Sequence, residues 1–194
     1  PQNFLTYFTS EYSVETAWHA PLETISSSTK NITLQKPKFQ DPTEKRAIKL
    51  VPNASSKEYF IVEYTSKQST YSNYTPDSDG LIVYRVNDNN KYNGNKEGGD
   101  HGELDHIFVF RPKEPYLGAG LGNLTEATLN MKRPVLGKDI EFSSTFDNET
   151  IYYSNGSNSG IKITIKSETP DSVTFDVTFP TLDGSGSEAD PYII

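Results

Sequence analysis

Cysteine is absent from the 194 residues, so no disulfide staples the fold and no thiolate can act as a nucleophile. The compartment stays open on that ground, but a disulfide-braced secreted module is excluded. Histidine is scarce, at three residues, and the chain holds neither the H-E-x-x-H helix of a zinc peptidase nor the G-x-S-x-G elbow of a serine hydrolase. Positive charge is outnumbered, with 18 Lys and Arg against 26 Asp and Glu for a net charge of −8. That balance argues against a nucleic-acid partner, because phosphate binding needs clustered cations. No apolar run reaches the ~18 residues that cross a bilayer as a helix, and no signal peptide is present. A chain starting at Pro1 rather than Met is expected to be a piece of a longer protein, with any export signal upstream.

What the sequence does have is β-forming residues in short, punctuated runs. It is 34% hydrophobic and 12% aromatic, enough for a core without covalent support. Residues 58–64 (E-Y-F-I-V-E-Y), 80–86 (G-L-I-V-Y-R-V) and 106–110 (H-I-F-V-F) are β-branched and aromatic on both faces. The pattern predicts three strands covered on both sides and forming the heart of the fold. Residues 29–35 and 46–51 alternate apolar with polar, Ile32 and Leu34 in the first and Ile48 and Leu50 in the second, and read as strands paired with each other. Residues 160–179 read as a hairpin with one wet face: Ile161, Ile163 and Ile165 answer Val173, Phe175, Val177 and Phe179 across a five-residue turn, 167–171. One short helix is predicted near the start, where Phe4, Leu5, Phe8 and Tyr12 recur at helical spacing after Asn3. Trp18 and His19 read as core and boundary residues.

The order of these pieces resembles a known family. E-Y-F-I-V-E-Y, P-D-S-D-G-L-I-V-Y-R-V-N-D, D-H-I-F-V-F and the closing S-G-I-K-I-T-I with V-T-F-D-V are similar to the β region that follows the catalytic domain in secreted zinc metallopeptidases of the immune inhibitor A type. The likeness covers residues 1–180 and departs at Tyr84, where the family often has His or Trp, and in a long excursion after Asp88. It implies that the catalytic zinc and its ligands belong to an upstream domain, and that the start of this chain is that domain's closing helix.

Several stretches could carry chemistry. The excursion 87–105 is too polar to pack and too long for a turn, so it is either mobile or ordered by something bound. Asp88, Asn90, Asn93, Asn95 and Asp100 offer the hard oxygens that calcium takes, out of register with an EF-hand. Asp77 and Asp79 form a second calcium candidate. His101, Glu103 and His106 have the wrong spacing for one helical face, leaving a loop metal site or plain solvated charge. The Gly-rich passage 117–122 reads as a surface loop, lacking the strand and helix of a phosphate loop. Six N-glycosylation sequons, at Asn31, Asn53, Asn73, Asn123, Asn148 and Asn155, carry meaning only in a secreted eukaryotic setting. Tyr71, Tyr74, Tyr92, Tyr152 and Tyr153 suit either a sugar- or protein-binding face or the rims of a sandwich.

The expected architecture is a mainly β, antiparallel sandwich with a short N-terminal helix. It divides into a helical remnant (1–25), the sandwich (26–180, with lobes 26–110 and 111–180) and a linker (181–194) to a further module, whose opening the final D-P-Y-I-I resembles. The expected role is a monomeric, non-catalytic accessory region of an exported bacterial zinc metallopeptidase, partnered by the catalytic domain of its own chain. It is expected to hold no cofactor of its own beyond possible calcium. The competing expectation is a cell-surface module that binds glycan or host protein.

Overall fold

The three two-faced segments lie side by side. The computed structural model describes residues 22–36, 45–52, 56–67, 77–90, 106–112, 122–137 and 149–180, which form nine strands in two sheets. The strands are β1 (Glu23–Ile25), β2 (Thr29–Gln35), β3 (Ala47–Leu50), β4 (Glu58–Thr65), β5 (Gly80–Asn87), β6 (Ile107–Val109), β7 (Val135–Leu136), β8 (Lys162–Thr169) and β9 (Ser172–Thr178). One sheet runs β1-β3-β4-β5-β6 and the other β2-β9-β8-β7. All pairings are antiparallel except β1 with β3. The predicted N-terminal helix, with Trp18 and His19, falls outside the described residues.

The sheets face each other across one core. Phe60, Val62, Leu81, Val83 and Phe108 from the first meet Ile32, Leu34, Ile163, Ile165, Val173, Phe175 and Val177 from the second, with Ile151 and Tyr152 between them. Facing sheets with interdigitated apolar side chains are a β-sandwich. The outer face of the first sheet is apolar too: Tyr59, Ile61, Tyr84, Val86, Ile107 and Val109 form a second buried cluster with Ala127, against which Leu22 and Leu124 pack. The two-faced composition of β4 to β6 is thus matched by burial on both sides.

Three expectations need correction. Strands β2 and β3 do not pair; β2 joins β9 in the second sheet and β3 lies between β1 and β4 in the first. Alternation reports that one face is buried but not which strand lies alongside, and the chain crosses between sheets after Lys36. The two stretches on either side of residue 111 consequently share one core rather than forming lobes. The β8–β9 turn is also tighter than expected, because Thr169 already pairs with Ser172 and only Pro170 and Asp171 make the reversal. The extra residues are absorbed by a register shift between Ile165 and Ser167. Of the two readings of the tyrosines, Tyr152 and Tyr153 take the packed one. Tyr152 is buried among Phe108 and Phe110, and Tyr153 packs on Phe60.

Candidate functional site

Polar side chains gather at the two ends of the β4–β5 pair, some 23 Å apart at about 3.3 Å per residue. At the end where β4 starts, Arg85 interrupts the apolar run of β5. Its neighbour across the ladder is Phe60, so it points into the sandwich core and is fully buried. Arg85 Nε lies 3.7 Å from Glu58 Oε1, and Nη1 donates to the Tyr152 carbonyl at 3.4 Å. The guanidinium also sits over the Phe108 and Tyr152 rings, at 5.1 and 5.8 Å. Glu58 in turn accepts from the Ser154 amide, and Asn87 Nδ2 donates to Ser154 Oγ. The cluster ties residues 152–154 onto the first sheet. A charge this deep persists because Glu58, the Tyr152 carbonyl and two aromatic faces surround the guanidinium and offset the cost of desolvating it.

Asp88 stands just beyond, opening a short 3-10 turn that closes at Asn90. Its carboxylate accepts from Tyr59 Oη at 3.5 Å and lies 3.7 Å from His106 Nε2. Of the five residues proposed for calcium, only Asp88 and Asn90 are described, and Asn93, Asn95 and Asp100 fall outside, as do His101 and Glu103. No group of three or more metal-ligating side chains occurs among the described residues.

The opposite end holds a cleft of ≈ 310 Å³ lined by Lys67, Ser78, Asp79, Asn130, Lys132 and Glu168. Its shape follows from local turns. Gly80 enters β5 at φ 151°, a conformation that suits glycine, with the Leu129 carbonyl where a Cβ would stand. That close approach lets Leu129 exchange both backbone hydrogen bonds with Leu81, at 2.8 and 2.7 Å. Residues 130–133 then turn back, and buried Asn130 holds the turn. Its Oδ1 accepts from the Lys132 amide at 2.8 Å, while Nδ2 donates to Ser78 Oγ at 2.7 Å. Met131, at the tip, is 52% exposed, and its amide donates to Glu168 Oε2 at 2.8 Å.

The carboxylates of this end are engaged. Asp79 Oδ1 accepts from the Lys67 amide and from Ser66 Oγ, with Lys36 Nζ 3.9 Å from its other oxygen. Asp77 instead accepts from Thr125 Oγ1. The structure therefore directs this second calcium pair to different partners. The side-chain ammonium groups of Lys67 and Lys132 have no carboxylate partner among the described residues. One more group is left over: Tyr64, 2% exposed, has a hydroxyl with no hydrogen-bond partner there. Burial, with the negative charges of Asp79, Asp171 and Glu168, pushes its pKa up to about 12.

Sequence reasoning missed this cleft, whose lining comes from both ends of the β4–β5 connection, from the 130–133 turn and from strand β8, and has no linear motif. Arg85 carried a readable signal, a lone charge inside an apolar strand. No family model, curated protein or solved structure matches the chain.

Proposed function

We propose that this chain is the non-catalytic β region of an exported bacterial zinc metallopeptidase of the immune inhibitor A type, supporting or flanking the protease domain through packing rather than chemistry. The observation that carries this reading is the position of the resembling segments. Three of them are β4, β5 and β6, adjacent and in sequence order in one sheet, and the closing pair is the β8–β9 hairpin of the facing sheet. The likeness thus lies in scaffold residues, and of the charged side chains within it Glu58, Glu63 and Arg85 are spent on internal contacts.

The test is to express the upstream catalytic domain with and without residues 1–180 and compare soluble yield, melting temperature and casein hydrolysis. All three should fall without the β region. An equally stable and active truncated protease sinks the bracing role. The reading of a cell-surface binding module for glycan or host protein is favoured by one observation, the polar cleft whose two ammonium groups have no carboxylate partner among the described residues. The sequence upstream of Pro1 separates the two, since an H-E-x-x-H helix there belongs only to the first.

A further inference from the structure

We propose that the cleft between Lys67 and Lys132 is a binding site for an acidic saccharide, a sugar unit carrying a carboxylate of the uronic-acid kind. The proposal stands on the cleft itself and holds whether or not the chain braces a protease.

Size comes first. A space of ≈ 310 Å³ lies at the lower end of the ~300–1,000 Å³ typical of small-ligand sites, which suits a ligand of one or two rings. Sign comes next. Asp79 and Glu168 already accept hydrogen bonds from the backbone amides of Lys67 and Met131, so what the cleft has left to offer is cationic. In a chain of net charge −8, two ammonium groups without carboxylate partners among the described residues mark a place where an anion gains rather than loses. A carboxylate held between them makes charge-assisted hydrogen bonds, the stronger class.

The rest of the lining selects a sugar over a peptide. All six side chains are polar, whereas most modes of peptide recognition draw on apolar pockets or a strand edge. Hydroxyl groups of a saccharide can accept from the Ser78 hydroxyl, whose oxygen is held by Asn130 Nδ2, and can donate to the lone pairs that the two carboxylates keep.

The experiment is a calorimetric and NMR titration of the protein with digalacturonate, with the neutral digalactoside, with inorganic phosphate and with a short peptide bearing a free C-terminal carboxylate. Digalacturonate should bind, with shifts confined to residues around Ser78, Asn130 and Lys132. Binding should weaken by about tenfold or more in the Lys67→Ala, Lys132→Ala double variant and fade as salt rises. Both lysines are exposed, so the variant should fold as the parent does, and an unchanged melting temperature checks this. Equal binding of the neutral sugar, or affinity unaffected by the lysine changes, overturns the proposal. Phosphate or the peptide binding as well as digalacturonate overturns the saccharide assignment and leaves a general anion site, and no binding by any of the four overturns both.

Discussion

Arg85 is the residue on which the interior depends most sharply. Its charge is stabilised by Glu58, by the Tyr152 carbonyl and by two aromatic faces, and removing one member of such a buried set leaves the other without compensation. Arg85→Met should cost about 3–5 kcal/mol by urea titration. Adding Glu58→Gln should recover part of that loss. A small effect for the single change, with nothing recovered in the double, would mean that Glu58 reaches solvent and the pair is not coupled. Tyr64 makes a different prediction. Its pKa in the folded protein, about 12, stands above the ordinary 10.0, so below pH 10 both states are neutral and the stabilisation is whole. Between pH 10 and 12 the unfolded chain ionises while the folded one does not, and stability falls by up to about 1.4 kcal/mol per pH unit. Tyr64→Phe should flatten this window and, lacking an unpartnered hydroxyl, should be neutral or slightly stabilising at pH 7. Parallel pH profiles for the two proteins would show that Tyr64 titrates normally.

At the level of elements, the β8–β9 hairpin tests the facing of the second sheet. Phe175 is fully buried between Ile32 and Ile165 in the pairing, so Phe175→Ala should cost about 3–5 kcal/mol. Thr174 lies on the other face, where its hydroxyl shares a hydrogen bond with Thr33 at 2.9 Å, and Thr174→Ala should cost about 0.5–1.5 kcal/mol. Equal losses in denaturant titrations would overturn the face assignment. Element limits were closely legible here. The runs 58–64 and 80–86 fall within a residue of β4 and β5, because β-branched and aromatic residues stop abruptly at polar, turn-forming ones. The sequence predicts too long a hairpin turn because Ser167, Glu168 and Thr169 look like loop residues; cross-strand pairing with β9 keeps them in the ladder.

For the whole molecule, a single core shared by residues 26–110 and 111–180 should unfold in one step. Calorimetric and van't Hoff enthalpies should then agree, whereas two resolved transitions would restore the division into lobes. The calcium proposal for the excursion is tested by melts with calcium and with a chelator. A site in residues 88–105 raises the melting temperature as calcium is added, since a ligand that binds only the folded form stabilises it. Coincident curves at millimolar calcium remove the site, and stoichiometric zinc would point instead to His101 and His106.

The sequence by itself determined the fold class, the central strands and which faces of them are apolar, since period-two patterning and residue shape act locally along the chain. It also set the overall charge that disfavours nucleic acid. Only the tertiary structure decided that β2 leaves β3 to pair with β9, that Arg85 turns inward to meet Glu58, and that Lys67, Ser78, Asn130, Lys132 and Glu168 converge on one cleft. These outcomes bring together residues as many as 148 positions apart, Thr29 and Val177, and no local preference records them, because pairing partners are chosen by the packing of whole faces.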